Sequence, residues 1–193
     1  MWEFVSEIVE IDPVFGWITR VSLGVLFASA FAHKLRDIDR FAAILQGYRL
    51  LPLRLTRPAA IAVAAAEAAT AGMLAVPALD PLGSAAALLL LAVYCAAIGV
   101  NLARGRRDID CGCLGPANRQ RISPWLLIRN GVLAVGAAIV LADAGARALT
   151  GIDAVSIVAG VGVIALIWQA VHQLGAVRAT RSSDPLRARG RLA

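Results

Sequence analysis

Charge is scarce in this chain. Only 17% of its 193 residues are Asp, Glu, Lys or Arg, where soluble domains carry about a quarter. Histidine occurs twice and cysteine three times. No Cys-x-x-Cys and no His-x-His is present, so no such motif completes a tetrahedral zinc site in this chain. No Lys or Arg precedes Arg20, while Glu3, Glu7, Glu10 and Asp12 do. A secretory leader opens on basic residues, so the first apolar segment is expected to be retained. Long polar stretches are also missing, which leaves little room for a soluble domain.

What fills the space is apolar: 59% of the residues are hydrophobic. They come as blocks, roughly 14–33, 57–78, 82–103, 124–143 and 152–175. Each is long enough to cross a bilayer as a helix. The expectation is an all-α integral membrane protein, a bundle of five transmembrane helices within one domain at 1–176. A basic tail at 177–193, Arg-, Ser- and Pro-containing, is expected to be disordered.

The net charge of +6 does not point to nucleic acid, because of where the charges sit. All Lys and Arg except Arg20, Arg129 and Arg147 fall in the 33–57 connection, the 104–123 loop and the tail. These three segments share one side of the membrane. The positive-inside rule then puts the N-terminus outside, and the C-terminus and the 104–123 loop in the cytoplasm of a cell whose inner membrane holds the chain. The basic residues orient it against the lipid bilayer, its first partner.

Between the first two spans lies "RDIDRFAAILQGYRLLP". Phe41, Ile44, Leu45 and Tyr48 recur at i, i+3, i+4 and i+7, with Arg36, Asp37, Arg40 and Arg49 mostly off that stripe. This predicts an interfacial amphipathic helix, ended by Pro52. Span 2 is alanine-rich, and span 3 carries small residues at Ala92, Ala96 and Gly99; small faces let helices approach closely in lipid. Ser123 and Pro124 suit the start of span 4.

Two sets of residues carry possible chemistry. The first is "DIDCGCLGP", Asp108 to Pro116. A disulfide needs its Cα atoms about 4.4–6.8 Å apart, near the limit of an extended i, i+2 pair. Gly112 permits the necessary bend. A disulfide of Cys111 and Cys113 would close a small strained ring, easily reduced and so suited to exchange. Two ordinary reduced cysteines, or half of a metal site formed by Cys111 and Cys113 and completed by a second copy, remain open readings. Cys95, deep in span 3, reads as a small buried hydrophobe.

The second set lies within the spans. Glu67 sits near the middle of span 2, where a carboxylate should face the bundle interior with a partner. Arg129 and Asn130 lie early in span 4; His33 and Lys34 close span 1. Glu67 is expected to pair with Arg129 or to accept from His33, while Lys34 and Arg129 alone could snorkel to the interface. The set is either a polar floor beneath the cysteines or an inert clamp between helices. His172 reads as an interfacial residue.

In order along the chain stand "AHKLRDIDRF", "YRLLP", Glu67, "CGCLG" and "SPWLLIRN". Together they resemble the methylamine utilisation protein MauE family, within the DoxX-like membrane group, over roughly residues 16–142. The resemblance implies a four-helix core with one helix added, and an accessory role in maturing the disulfide-rich small subunit of methylamine dehydrogenase. A thioredoxin-like partner is implied as well. It carries over Cys111, Cys113, Lys34, Glu67, Arg129 and Asn130. The function expected is thiol–disulfide exchange or electron transfer supporting maturation of a partner, the first of these being the work of a thiol–disulfide oxidoreductase. Two other readings stay open: a membrane scaffold or chaperone with a metal-binding or docking cysteine loop, and a transporter using Glu67 and Arg129. No cofactor is identified, and a quinone is possible without a sequence signature. The oligomeric state and the electron acceptor are not set by the sequence.

Overall fold

Helix ends follow their capping residues. In the computed structural model, which describes residues 12–112, 120–142 and 149–182, helix α1 spans Pro13–Arg36. Asp12 caps it, its Oδ1 accepting from Val14 N at 2.9 Å, and Pro13 occupies the first turn, where its missing N–H costs nothing. Asp37 then ends α1 and caps α2 (Ile38–Tyr48), accepting from Arg40 N at 2.9 Å. Helix α2 stops at Arg49, which takes a left-handed conformation at φ 51°. Helix α3 (Leu53–Ala75) follows Pro52. A 3₁₀ turn, Pro77–Leu79, leads into α4 (Asp80–Ala103). Helix α5 runs Pro124–Ala142 and α6 Gly151–Ser182. Thr150 starts α6, its N and Oγ1 both donating to Asp153 Oδ2, at 2.7 and 2.8 Å.

Helices α1, α3 and α5 and the Pro77–Ala103 segment are each long and apolar enough to cross a membrane; α6 adds a shorter apolar stretch, Gly151–Ile167. Helix α1 packs on α3, α5 and α6, and α4 packs on α3 and α5. The four-helix core with one helix added is therefore observed, and the protein is a multi-pass helical membrane protein. Helix α6 continues to Ser182, into the segment expected as a tail; residues 183–193 lie outside the described ones.

Two features of the packing differ from expectation. The small residues Ala92 and Ala96 of α4 are exposed. The face of α4 that is buried carries Gly83, Ser84, Ala87, Leu90, Leu91 and Ile98 instead. The short turn from α3 fixes this choice, because it forces closest approach at Gly83. A Cβ there would stand 2.9 Å from Leu74 N. Gly83→Ala should overpack this contact and lower stability by about 1–2 kcal/mol, read as a lower midpoint in denaturant titration of the detergent-solubilised protein. An unchanged midpoint would show that the turn yields freely. Second, the apolar stripe of α2 turns into the protein. Phe41 and Tyr48 are buried, and Ile44 and Leu45 pack on the clusters that contain them.

The end of the bundle opposite the cysteine loop is tied by Arg20. Its Nε donates to Leu74 O at 2.6 Å and lies 3.4 Å from Asp80 Oδ1, and its guanidinium stands 4.5 Å from the Trp17 ring centroid. A cation on α1 thus closes the α3–α4 turn. The sequence presents Arg20 only as a charge in an apolar block.

Candidate functional site

Glu67 is the buried acid around which the site forms. It lies on the inward face of α3, with 1% of its surface exposed. Lys34, at the end of α1, reaches it: Nζ to Oε1 is 2.7 Å, with side-chain exposures of 2% and 1%. Tyr94 of α4 donates to the same oxygen at 2.6 Å. Three helices therefore converge on one carboxylate oxygen, which satisfies the requirement that a charge in a low-dielectric interior be paired and hydrogen-bonded.

The expected partners of Glu67 were Arg129 or His33, and neither forms the pair. Helix α1 packs directly on α3, so Lys34 meets Glu67 rather than snorkelling. The Arg129 guanidinium reaches toward the loop, to Gln120 Oε1 at 3.2 Å and Asn130 Oδ1 at 3.4 Å. Arg129 and Asn130 still face the site across a cavity of about 50 Å³, which Glu67, Tyr94 and Ser29 also line. That space admits water. Glu67 Oε2 and Asn130 Nδ2 are buried there with no protein hydrogen-bond partner among the described residues. Tyr94, which the sequence reading passed over, is one of only two tyrosines in the chain. A phenol inside an apolar span needs a polar partner, and that was the available signal.

The cysteine loop is anchored to this site from above. Its arms pair at an isolated antiparallel bridge, Asp110 with Arg121. Cys111 N donates to Gln120 O at 2.8 Å, and Ile122 N to Ile109 O at 2.9 Å. Cys111 is buried in a cluster with Tyr48, Ile98, Ile122 and Leu126. Gly112 has φ +75°, and its N donates to Asp110 Oδ1 at 3.2 Å. A Cβ on Gly112 would lie 3.0 Å from Phe41 Cε2, so glycine is required both by the backbone conformation and by the space. The Phe41 ring in turn sits 4.8 Å from Lys34 Nζ, measured to its centroid. One aromatic ring thus separates the buried ion pair from the cysteine turn. Cys113 lies outside the described residues. Cys95 is half-buried within α4.

Four of the loop's charged side chains, Arg106, Asp108, Asp110 and Arg121, are engaged. Arg121 pairs with Asp108 at 2.8 Å and Arg40 faces Asp110 at 3.7 Å. Arg106 is committed to α2, with Nη2 on Gly47 O at 2.7 Å and Nη1 on Tyr48 O at 3.2 Å and Asn101 Oδ1 at 3.0 Å. It caps the C-terminal end of α2, where a cation is favoured.

Beside Cys111 opens a second cavity, of about 400 Å³. Lys34, Tyr94 and Cys111 are on its walls, with apolar side chains between them.

Fold and site define a polytopic membrane protein that holds a cysteine turn over a buried Lys–Glu–Tyr cluster. The family model for methylamine utilisation protein MauE matches residues 12–143, and the chain belongs to that family. Among its relatives, methylamine utilization protein MauE of Paracoccus denitrificans is 40% identical over 124 residues, 64% of this chain and 66% of that protein. The protein of the same name from Paracoccus versutus is 38% identical over 133 residues, covering 67% and 72%. That from Methylorubrum extorquens is 39% identical over 127 residues, covering 65% and 68%. The chain thus spans about two thirds of the length of these relatives. No solved structure matches it.

Proposed function

We propose that this protein performs thiol–disulfide exchange in the membrane, supporting maturation of a partner protein that serves methylamine utilisation. Cys111 and Cys113 are the exchanging pair. One thiolate attacks a disulfide of the partner, releasing one of its sulfurs as a thiolate and forming a mixed disulfide. The second cysteine then attacks the mixed disulfide, freeing the partner's other sulfur and leaving Cys111–Cys113 oxidised. A thioredoxin-like protein is the proposed partner at the membrane face.

The observation that carries this reading is the support given to Cys111. A backbone bridge, an obligatory glycine turn and the Phe41 ring hold that cysteine at the end of the bundle, as a positioned reactive group requires. Lys34, Glu67 and Tyr94 sit behind it as the candidate proton-holding cluster. The charge bias supports a loop on the cytoplasmic face of the inner membrane.

Thiol trapping in intact cells tests both parts, on a Cys95→Ala background with permeant and impermeant mass tags. The expected result is a partly oxidised pair, labelled after reduction by the permeant tag alone. Cys111→Ser and Cys113→Ser should each abolish the partner's disulfide turnover while leaving membrane assembly unchanged. Thiols that stay fully reduced in the wild type would end the exchange reading, and labelling by the impermeant tag would reverse the topology.

A further inference from the structure

The larger cavity has the size of a small-molecule site, since such pockets run about 300–1,000 Å³. Its volume is about 400 Å³, formed by α1 to α4 and the cysteine loop. Leu50, Leu51, Val93 and Val100 line it and are 39–48% exposed. An entrance walled by such side chains, between helices that cross the membrane, admits a molecule dissolved in lipid. Inside, the apolar lining is broken at a few points only: Cys111, Lys34 and the two tyrosines, Tyr48 and Tyr94. The Lys34 ammonium has three N–H groups, of which one is used on Glu67.

A lipid tail would need neither a cation nor a sulfur in its pocket. A flat apolar ring bearing carbonyl oxygens uses both. We infer that this cavity binds a membrane-soluble quinone, which accepts the electrons of the reduced Cys111–Cys113 pair. The inference rests on the exchange reading above, run in the reverse sense: two thiols of the partner reduce the Cys111–Cys113 disulfide and become a disulfide themselves, and the quinone then reoxidises the pair. Two S–H bonds break and one S–S bond forms. The two electrons enter the quinone ring, and the two protons end on its oxygens, giving the hydroquinone. Lys34 faces the negative charge that develops on a ring oxygen as electrons arrive. Glu67 and Tyr94 connect that ammonium to the 50 Å³ cavity beyond.

The test uses the full chain, reduced and then placed in lipid nanodiscs with a decyl-substituted benzoquinone. Quinone absorbance and the thiol content are followed together. The expected result is one hydroquinone per cysteine pair oxidised. Ala96 is exposed and lines the cavity, so Ala96→Trp blocks the space without disturbing the core. That variant should lose quinone reduction and keep exchange with oxidised glutathione. Exchange with glutathione but no quinone reduction in the wild type would overturn the quinone site and leave the exchange reading intact. So would an Ala96→Trp variant that reduces quinone normally, or native mass spectrometry showing phospholipid retained and quinone excluded. A pair that no oxidant converts to a disulfide overturns both.

Discussion

Replacing Lys34 by Met is expected to destabilise the bundle by about 3–5 kcal/mol, the range for breaking a buried ion pair from one side. The variant leaves Glu67 with the Tyr94 hydroxyl as its protein donor among the contacts seen. Solvent does not replace the lost ammonium readily, because Glu67 is 1% exposed. The double variant Lys34→Met with Glu67→Gln should regain most of the loss. It removes both charges and keeps an amide oxygen to accept from Tyr94. Denaturant midpoints of the detergent-solubilised proteins decide the matter. A double variant no more stable than Lys34→Met would mean that Lys34 contributes through its packing against Phe41 and not through charge. The same double variant separates structure from chemistry: if it folds normally yet exchanges slowly, the cluster serves the cysteines as well as the fold.

Arg106→Ala is expected to release the cysteine arm. Its guanidinium joins Gly47 O, Tyr48 O and Asn101 Oδ1, so three acceptors lose a charged donor at once. The local cost is on the order of 3 kcal/mol. The Arg20 and Glu67 contacts among α1, α3 and α4 do not involve it, so the change should be confined to α2 and the loop. Cys111 should then alkylate at least about tenfold faster, the change that about 1.4 kcal/mol of lost local stability brings. This is measured with Cys95 and Cys113 replaced by Ala. Arg106→Lys should not restore protection, because an ammonium lacks the planar fork that reaches both helix carbonyls and the amide. Equal alkylation rates in wild type and Arg106→Ala would show that the backbone bridge alone holds Cys111.

Both predictions rest on residues that the sequence displays but does not connect. Hydropathy blocks, proline and aspartate caps and the 3.6-residue stripe of α2 are local properties. They determined the helices, their ends and the membrane class, because a span in lipid must satisfy its own backbone. Cys111, Gly112 and Cys113 stand out for the same reason: their spacing is local. The placement of Glu67 mid-span required a buried partner, since an isolated charge there is costly.

Which partner it took was a tertiary matter. Lys34, Glu67 and Tyr94 are separated by tens of residues and meet only because α1 and α4 both pack on α3. Gly83, and not the alanine face, sets the closest approach of α3 and α4, because a short turn fixes where two helices touch. The amphipathic stripe of α2 could have faced lipid or protein with equal economy by periodicity alone; Phe41 decided it by filling the space between Lys34 and Gly112. The cavity beside Cys111 exists only in the assembled bundle, as the gap left where α1 to α4 and the loop converge. Sequence determined the parts and their chemistry; packing decided which of them face one another.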